Sequence, residues 1–199
     1  SSTNNEAKDV WSSWQKSMAI INGHSSQTIT DAIGDETVTV DLLLAKTRAG
    51  ADRYDQLRTE VRPDLGDRIE KAFANVHAIL KDLGLENTLY NQRAVEILGR
   101  NAMEITLTNI QQIKMIDIPL QELQQRMLPG HVLTFLNEGK DIMQMPLAQL
   151  TDEVLHIDSQ TKINPVDQMI KDVYHMIKSD RIPENQKDSV IGVYRLMHT

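Results

Sequence analysis

The sequence predicts an all-α fold, either a multi-helix bundle or an irregular array of short helices flanked by helical hairpins. Three observations predict it. Apolar residues recur at three- and four-residue spacing through most of the chain, no alternating stretch longer than Thr37 to Val40 suggests a strand, and one degenerate unit recurs where helices would begin. The unit appears as Leu85-Glu86-Asn87-Thr88-Leu89, Met103-Glu104-Ile105-Thr106-Leu107, Asp117-Ile118-Pro119-Leu120 and Met143-Gln144-Met145-Pro146-Leu147. Each places an apolar residue ahead of Thr or Pro and then Leu. Thr accepts a bond from one of a helix's first free amides, Pro has no amide to leave free there, and the preceding apolar residue fixes the entry angle.

The first element is an arm helix over residues 6–21, with Trp11, Trp14, Met18 and Ile21 at helical spacing and Asn22-Gly23 as its stop. Residues between Gly23 and Thr39 are Ser/Thr-rich, with Ile29, Ile33 and Val38 scattered among them, and predict a linker holding at most one short helical turn. Residues 1–38 are thus arm and linker, and 39–199 a helical domain. From Val40 the series Leu43, Thr47, Gly50, Tyr54, Leu57, Val61 predicts a helix in which the small residues Thr47 and Gly50 permit either close helix approach or a break. Asp64 or Asp67 caps a second helix bearing Ile69, Phe73, Val76, Leu80 and Leu83, closed by Gly84, which completes a hairpin over 40–83.

A middle array over 85–155 follows, with short helices predicted near 88–98, 106–116, 119–128, 130–138 and 146–155. Residues 156–163 are a polar break. Asn164-Pro165 then opens a C-terminal hairpin over 164–199, with Val166, Met169, Ile170, Val173 and Ile177 on one helix and Val190, Ile191, Tyr194 and Met197 on the next. Within the array, an offset of 18 aligns Glu86, Thr88, Leu89 and Asn91 with Glu104, Thr106, Leu107 and Asn109. An offset of 27 aligns Pro119 and Leu120 with Pro146 and Leu147, and one of 40 aligns Gly99 and Met103 with Gly139 and Met143. Two explanations stand: duplication of a unit, or the shared grammar of helix starts. The unequal spacings do not support a solenoid of fixed period.

Composition narrows the function. In 199 residues, 28 acidic side chains outnumber 21 basic ones for a net charge of −7, which disfavours duplex nucleic acid and anionic membrane as partners. No apolar run approaches the roughly 20 residues of a membrane span. The absence of cysteine removes disulfides, thiolate nucleophiles and Cys-type zinc sites, and fits a reducing, cytoplasmic setting. The polar start without Met and the stop inside an apolar pattern at Thr199 suggest that both ends were cut from a longer chain.

No constellation of catalytic type emerges. His24, His77, His131, His156, His175 and His198 form no HExxH-type pattern and are read as structural, and the nearest cluster, His156 with Asp152 and Asp158, as a solvated loop. Gly139-Lys140-Asp141 is a helix C-cap and not a phosphate loop, and the carboxylate pairs Asp152-Glu153 and Asp64/Asp67 sit where capping explains them. No serine sits in a nucleophile elbow. No cofactor, metal ligand or catalytic residue is predicted. All methionines except Met18 lie beyond residue 100, and are either core filler or an adaptable binding surface. Trp11 and Trp14, the candidate partner-binding residues, either dock the arm on the body or anchor a partner.

The strings Arg93-Ala94-Val95-Glu96-Ile97-Leu98-Gly99-Arg100-Asn101-Ala102-Met103-Glu104-Ile105-Thr106 and Ile191-Gly192-Val193-Tyr194-Arg195-Leu196 resemble an uncharacterised bacterial domain family of unknown function. Residues 133–146 and Ile182-Pro183-Glu184 fit the same pattern, so the resemblance spans roughly 65–199. Members are often encoded near flagellar hook and motility components in Gram-positive bacteria, which implies a motility-associated interaction role and carries over no site residue. The expected function is a non-enzymatic protein-interaction or scaffold domain, with an unidentified protein as partner or a second copy bound through the N-terminal helix. The alternative is a small-ligand or regulatory binding domain with a pocket among Met103, Met115, Met143 and Met145.

Overall fold

The computed structural model describes residues 2–57 and 74–160, and among these every regular element is helical. In chain order they are α1 (Ser2–Gly23), α2 (Ser25–Ala32), α3 (Val40–Leu57), α4 (Val76–Asp82), α5 (Leu89–Arg100), α6 (Leu107–Arg126), α7 (Pro129–Asn137) and α8 (Leu147–Gln160). The all-α expectation is met. The first part of the predicted 40–83 hairpin is α3 and its last turns are α4. The intervening residues 58–73, and the C-terminal hairpin over 164–199, lie outside the described residues.

The helix α6 runs through the middle. Ile110, Ile113, Ile116, Leu120 and Leu123 project from it at three- and four-residue intervals and are buried, and α5, α8 and α2 pack around it. The arm helix α1 buries Trp14, Ser17, Met18 and Ile21, one stripe at i, i+3, i+4 and i+7, and lies against α7 and α3. The Ser/Thr-rich stretch read as a linker is corrected here. It holds the two-turn helix α2, whose Thr28, Ile29 and Ala32 are buried against α3, α5 and α6.

The polarity of α2 hid its burial, because its hydroxyls find partners inside. Thr28 shares a 2.7 Å hydrogen bond with Thr47 of α3, whose hydroxyl lies 2.8 Å from the Leu43 carbonyl, and the Thr30 hydroxyl donates to the Gln27 carbonyl at 2.9 Å. Once satisfied, a buried hydroxyl no longer costs its desolvation penalty. A Cβ on Gly50 would stand 3.3 Å from the Gln27 side chain, so Thr47 and Gly50 mark the close helix approach, and α3 continues unbroken through Ala49-Gly50.

Two boundaries differ from the expectation. The helices predicted at 106–116 and 119–128 are one helix, α6, with Pro119 inside it. Asp117-Ile118-Pro119 resembles a helix start, but the Asp117 carboxylate is taken by Arg93 of α5 and not by the amides ahead of it. The carbonyl that Pro119 deprives of its i−4 donor belongs to Met115, the most exposed large apolar residue described, at 75%. Of the polar break expected at 156–163, residues 156–160 are helical instead, since α8 continues to Gln160 and holds Ile157 against the core, and residues 161–163 lie outside the described residues.

The 18-residue match corresponds to one capping geometry formed twice. Thr88 Oγ1 accepts the Asn91 amide at 3.3 Å, and Thr106 Oγ1 accepts the Asn109 amide at 3.1 Å. In both, the Asn side chain reaches back to a carbonyl five residues earlier, Asn91 to Glu86 at 2.9 Å and Asn109 to Glu104 at 2.7 Å. The preceding helices end alike: Leu85 and Met103 donate to the Leu80 and Leu98 carbonyls, with Gly84 (φ 71°) and Ala102 (φ 52°) in the left-handed conformation that closes the turn. The other offsets join unlike places, because Pro119 is mid-helix where Pro146 precedes α8, and Gly99 is helical where Gly139 is left-handed.

At Ala102 a methyl group occupies a position whose steric cost glycine avoids. Ala102→Gly is expected to raise stability by about 1 kcal/mol, and Thr106→Ala to lower it by about 1 kcal/mol. Urea melts of both variants check this, and unchanged midpoints would remove the capping account.

Candidate functional site

The interior carries a line of charged and polar side chains along α6. From α5, the Arg93 guanidinium forks onto Asp117, with Nε 2.8 Å from Oδ2 and Nη2 2.9 Å from Oδ1, and Gln121 adds a longer bond at 3.3 Å. Asp117 is fully buried. Burial opposes the charge on Arg93, but the hydrogen bond and attraction from Asp117 outweigh it and hold the guanidinium above its ordinary pKa. Burial, and then the negative charges of Glu122 and Asp117, push the Tyr90 phenol upward, so it stays protonated across the usual pH range.

Four residues after Asp117's neighbour Ile118, one helical turn further along, Glu122 and Arg126 form an i,i+4 pair with Nε 2.5 Å from Oε2, both buried. Arg126 Nη1 lies 3.9 Å from Asp158 of α8, and Asp158 Oδ1 is 2.6 Å from His131 Nε2. His131 Nδ1 accepts the Leu128 amide at 3.0 Å. The imidazole thus caps the start of α7 with one nitrogen and ties it to α8 with the other. Each carboxylate of the line faces a cation or an imidazole, so the arrangement cross-links α5, α6, α7 and α8. Among the described residues no group of three His, Cys, Asp or Glu side chains is placed to hold a metal ion.

At the surface, an open groove of about 520 Å³ lies between the segment 33–38, α6 and the start of α8. Ile33, Val38, Ile116 and Leu147 form its apolar lining with the exposed Met115, and Asp35 and Glu36 contribute carboxylates. Its walls are held in place. Gly34 (φ 93°) turns the chain after α2, the Leu147 amide donates to the Val38 carbonyl at 2.9 Å, the Asp41 amide to the Met143 carbonyl at 3.1 Å, and Lys46 pairs with Asp35 at 3.5 Å. Leu107, two turns before Met115 on α6, is 48% exposed. A smaller concavity of about 410 Å³ lies where α1 meets the end of α7.

The candidate partner-binding residues divide. Trp14 is 2% exposed and belongs to the core, so for this residue the structure contains the docking of the arm on the body, while Trp11 is half-buried against the same core. The four methionines of the expected pocket differ in setting. Met145 is buried, Met103 and Met143 pack partly buried against the core, and Met115 lines the groove. The cluster read around His156 is corrected too: His156 and Asp152 are exposed on α8, and Asp158 turns to His131 and Arg126.

The line along α6 was missed by sequence reasoning. Its local signals are the i,i+4 pair Glu122 and Arg126, and Pro129-Gly130-His131, which sets a side chain able to accept a bond at the third position of α7, where a capping box would carry Glu or Gln. Asp117 and Arg93, 24 positions apart, give no such signal.

A family model described as a family of unknown function, DUF6240, matches residues 5–199. No curated protein and no solved structure matches the chain.

Two outcomes test the buried line. Arg93→Met, which leaves Asp117 buried without its cation, is expected to cost about 3–5 kcal/mol in a urea melt, and the double variant Arg93→Met/Asp117→Leu to recover most of it. Equal losses in the single and double variants would show that the fork is not the cause. For His131, a nitrogen-15 correlation spectrum of the folded chain is expected to show the proton on Nε2, because Nδ1 must keep its lone pair for the Leu128 amide. A proton on Nδ1 would abolish the cap.

Proposed function

The chain belongs to DUF6240, a family of unknown function, and we propose that it is a non-enzymatic protein-interaction domain that receives a partner in the groove beside α6. The single observation that supports this is Met115, a large apolar side chain held 75% exposed in an apolar groove with braced walls. Exposed apolar surface framed by polar residues favours association, because covering it removes it from water. Thioether side chains also adapt to different partner shapes. A bacterial source and a motility setting come from the family resemblance of the sequence, which makes flagellar export and hook components the first partners to look for. The Met-lined ligand pocket is not carried forward, since its four methionines do not converge on the groove.

A variant that unfolds the domain would mimic loss of a partner, and Trp14→Ala, with a cost of about 3–5 kcal/mol for emptying a core site, is unsuitable for that reason. Met115→Arg touches an exposed position and should leave stability within about 0.5 kcal/mol. Affinity capture from a native lysate with both wild type and Met115→Arg is expected to retain a reproducible set of proteins on the wild type that the variant loses, at equal melting temperature. Identical captured sets would sink the groove as the interface.

A further inference from the structure

We draw no further inference here: the strongest candidate, the open apolar groove between residues 33–38, α6 and the start of α8, belongs to the site already described, and nothing in the structure shows what covers it.

Discussion

The rest of the structure depends on α6 having charged groups in its buried face. A helix packed by α5, α8 and α2 would ordinarily be apolar toward all of them, yet α6 carries Asp117, Glu122 and Arg126 inside. Such groups are tolerable only where every charge meets its complement, because an unpaired buried ion costs several kcal/mol. Asp117 therefore fixes where Arg93, and with it α5, must lie, and Asp158 fixes α8 against Arg126 and His131. Apolar contacts among Ile110, Ile113, Leu120 and Leu123 supply the driving force for burial, but they would permit neighbouring registers. The two-pronged geometry of the Arg93 fork is more selective than a sliding apolar face.

The short helices raise a second constraint, since each end leaves backbone groups unsatisfied, and a chain of many short helices has many ends. The sequence meets this with a compact connection used twice: a left-handed residue that closes one helix, three residues of turn, a threonine that opens the next, and an asparagine that bonds back across the turn. The α6 to α7 connection uses a different solution, with Pro129 in the first turn and His131 as the acceptor. His131 thereby joins the local problem of starting a helix to the global one of holding α8. The groove lies where such bracing meets the surface. Its floor residue Ile116 directly precedes Asp117, so the exposed face of α6 around Met115 is backed by the most firmly paired part of the interior.

Helix ends were legible because they are local. A cap is a contract between residues three to five apart, and Thr88 with Asn91, Thr106 with Asn109, and the glycines at 84 and 139 can be read along the chain. Where the reading failed, a residue of capping type had been taken for another purpose. Asp117 ahead of Pro119 has the pattern of a helix start, yet its carboxylate serves Arg93, and the helix runs on through the proline. The serines and threonines of 25–30 look like loop until Thr47 is placed opposite Thr28, which lets a polar two-turn helix enter the core. The exposure of Met115 could not be told from the burial of Met145 by composition, since both lie among apolar neighbours in the chain.

By itself, then, the sequence determined the helical class, the amphipathic stripe that buries Trp14, Met18 and Ile21, and the chemistry of the turns, all of which rest on periodicity and contacts within a few residues. Only the tertiary structure decided which charges are neighbours, which methionine faces solvent, and that the segment after Gly23 is core. Those outcomes depend on groups such as Asn101 and Ser26, or Arg93 and Asp117, that are distant along the chain and meet only after the helices between them have packed.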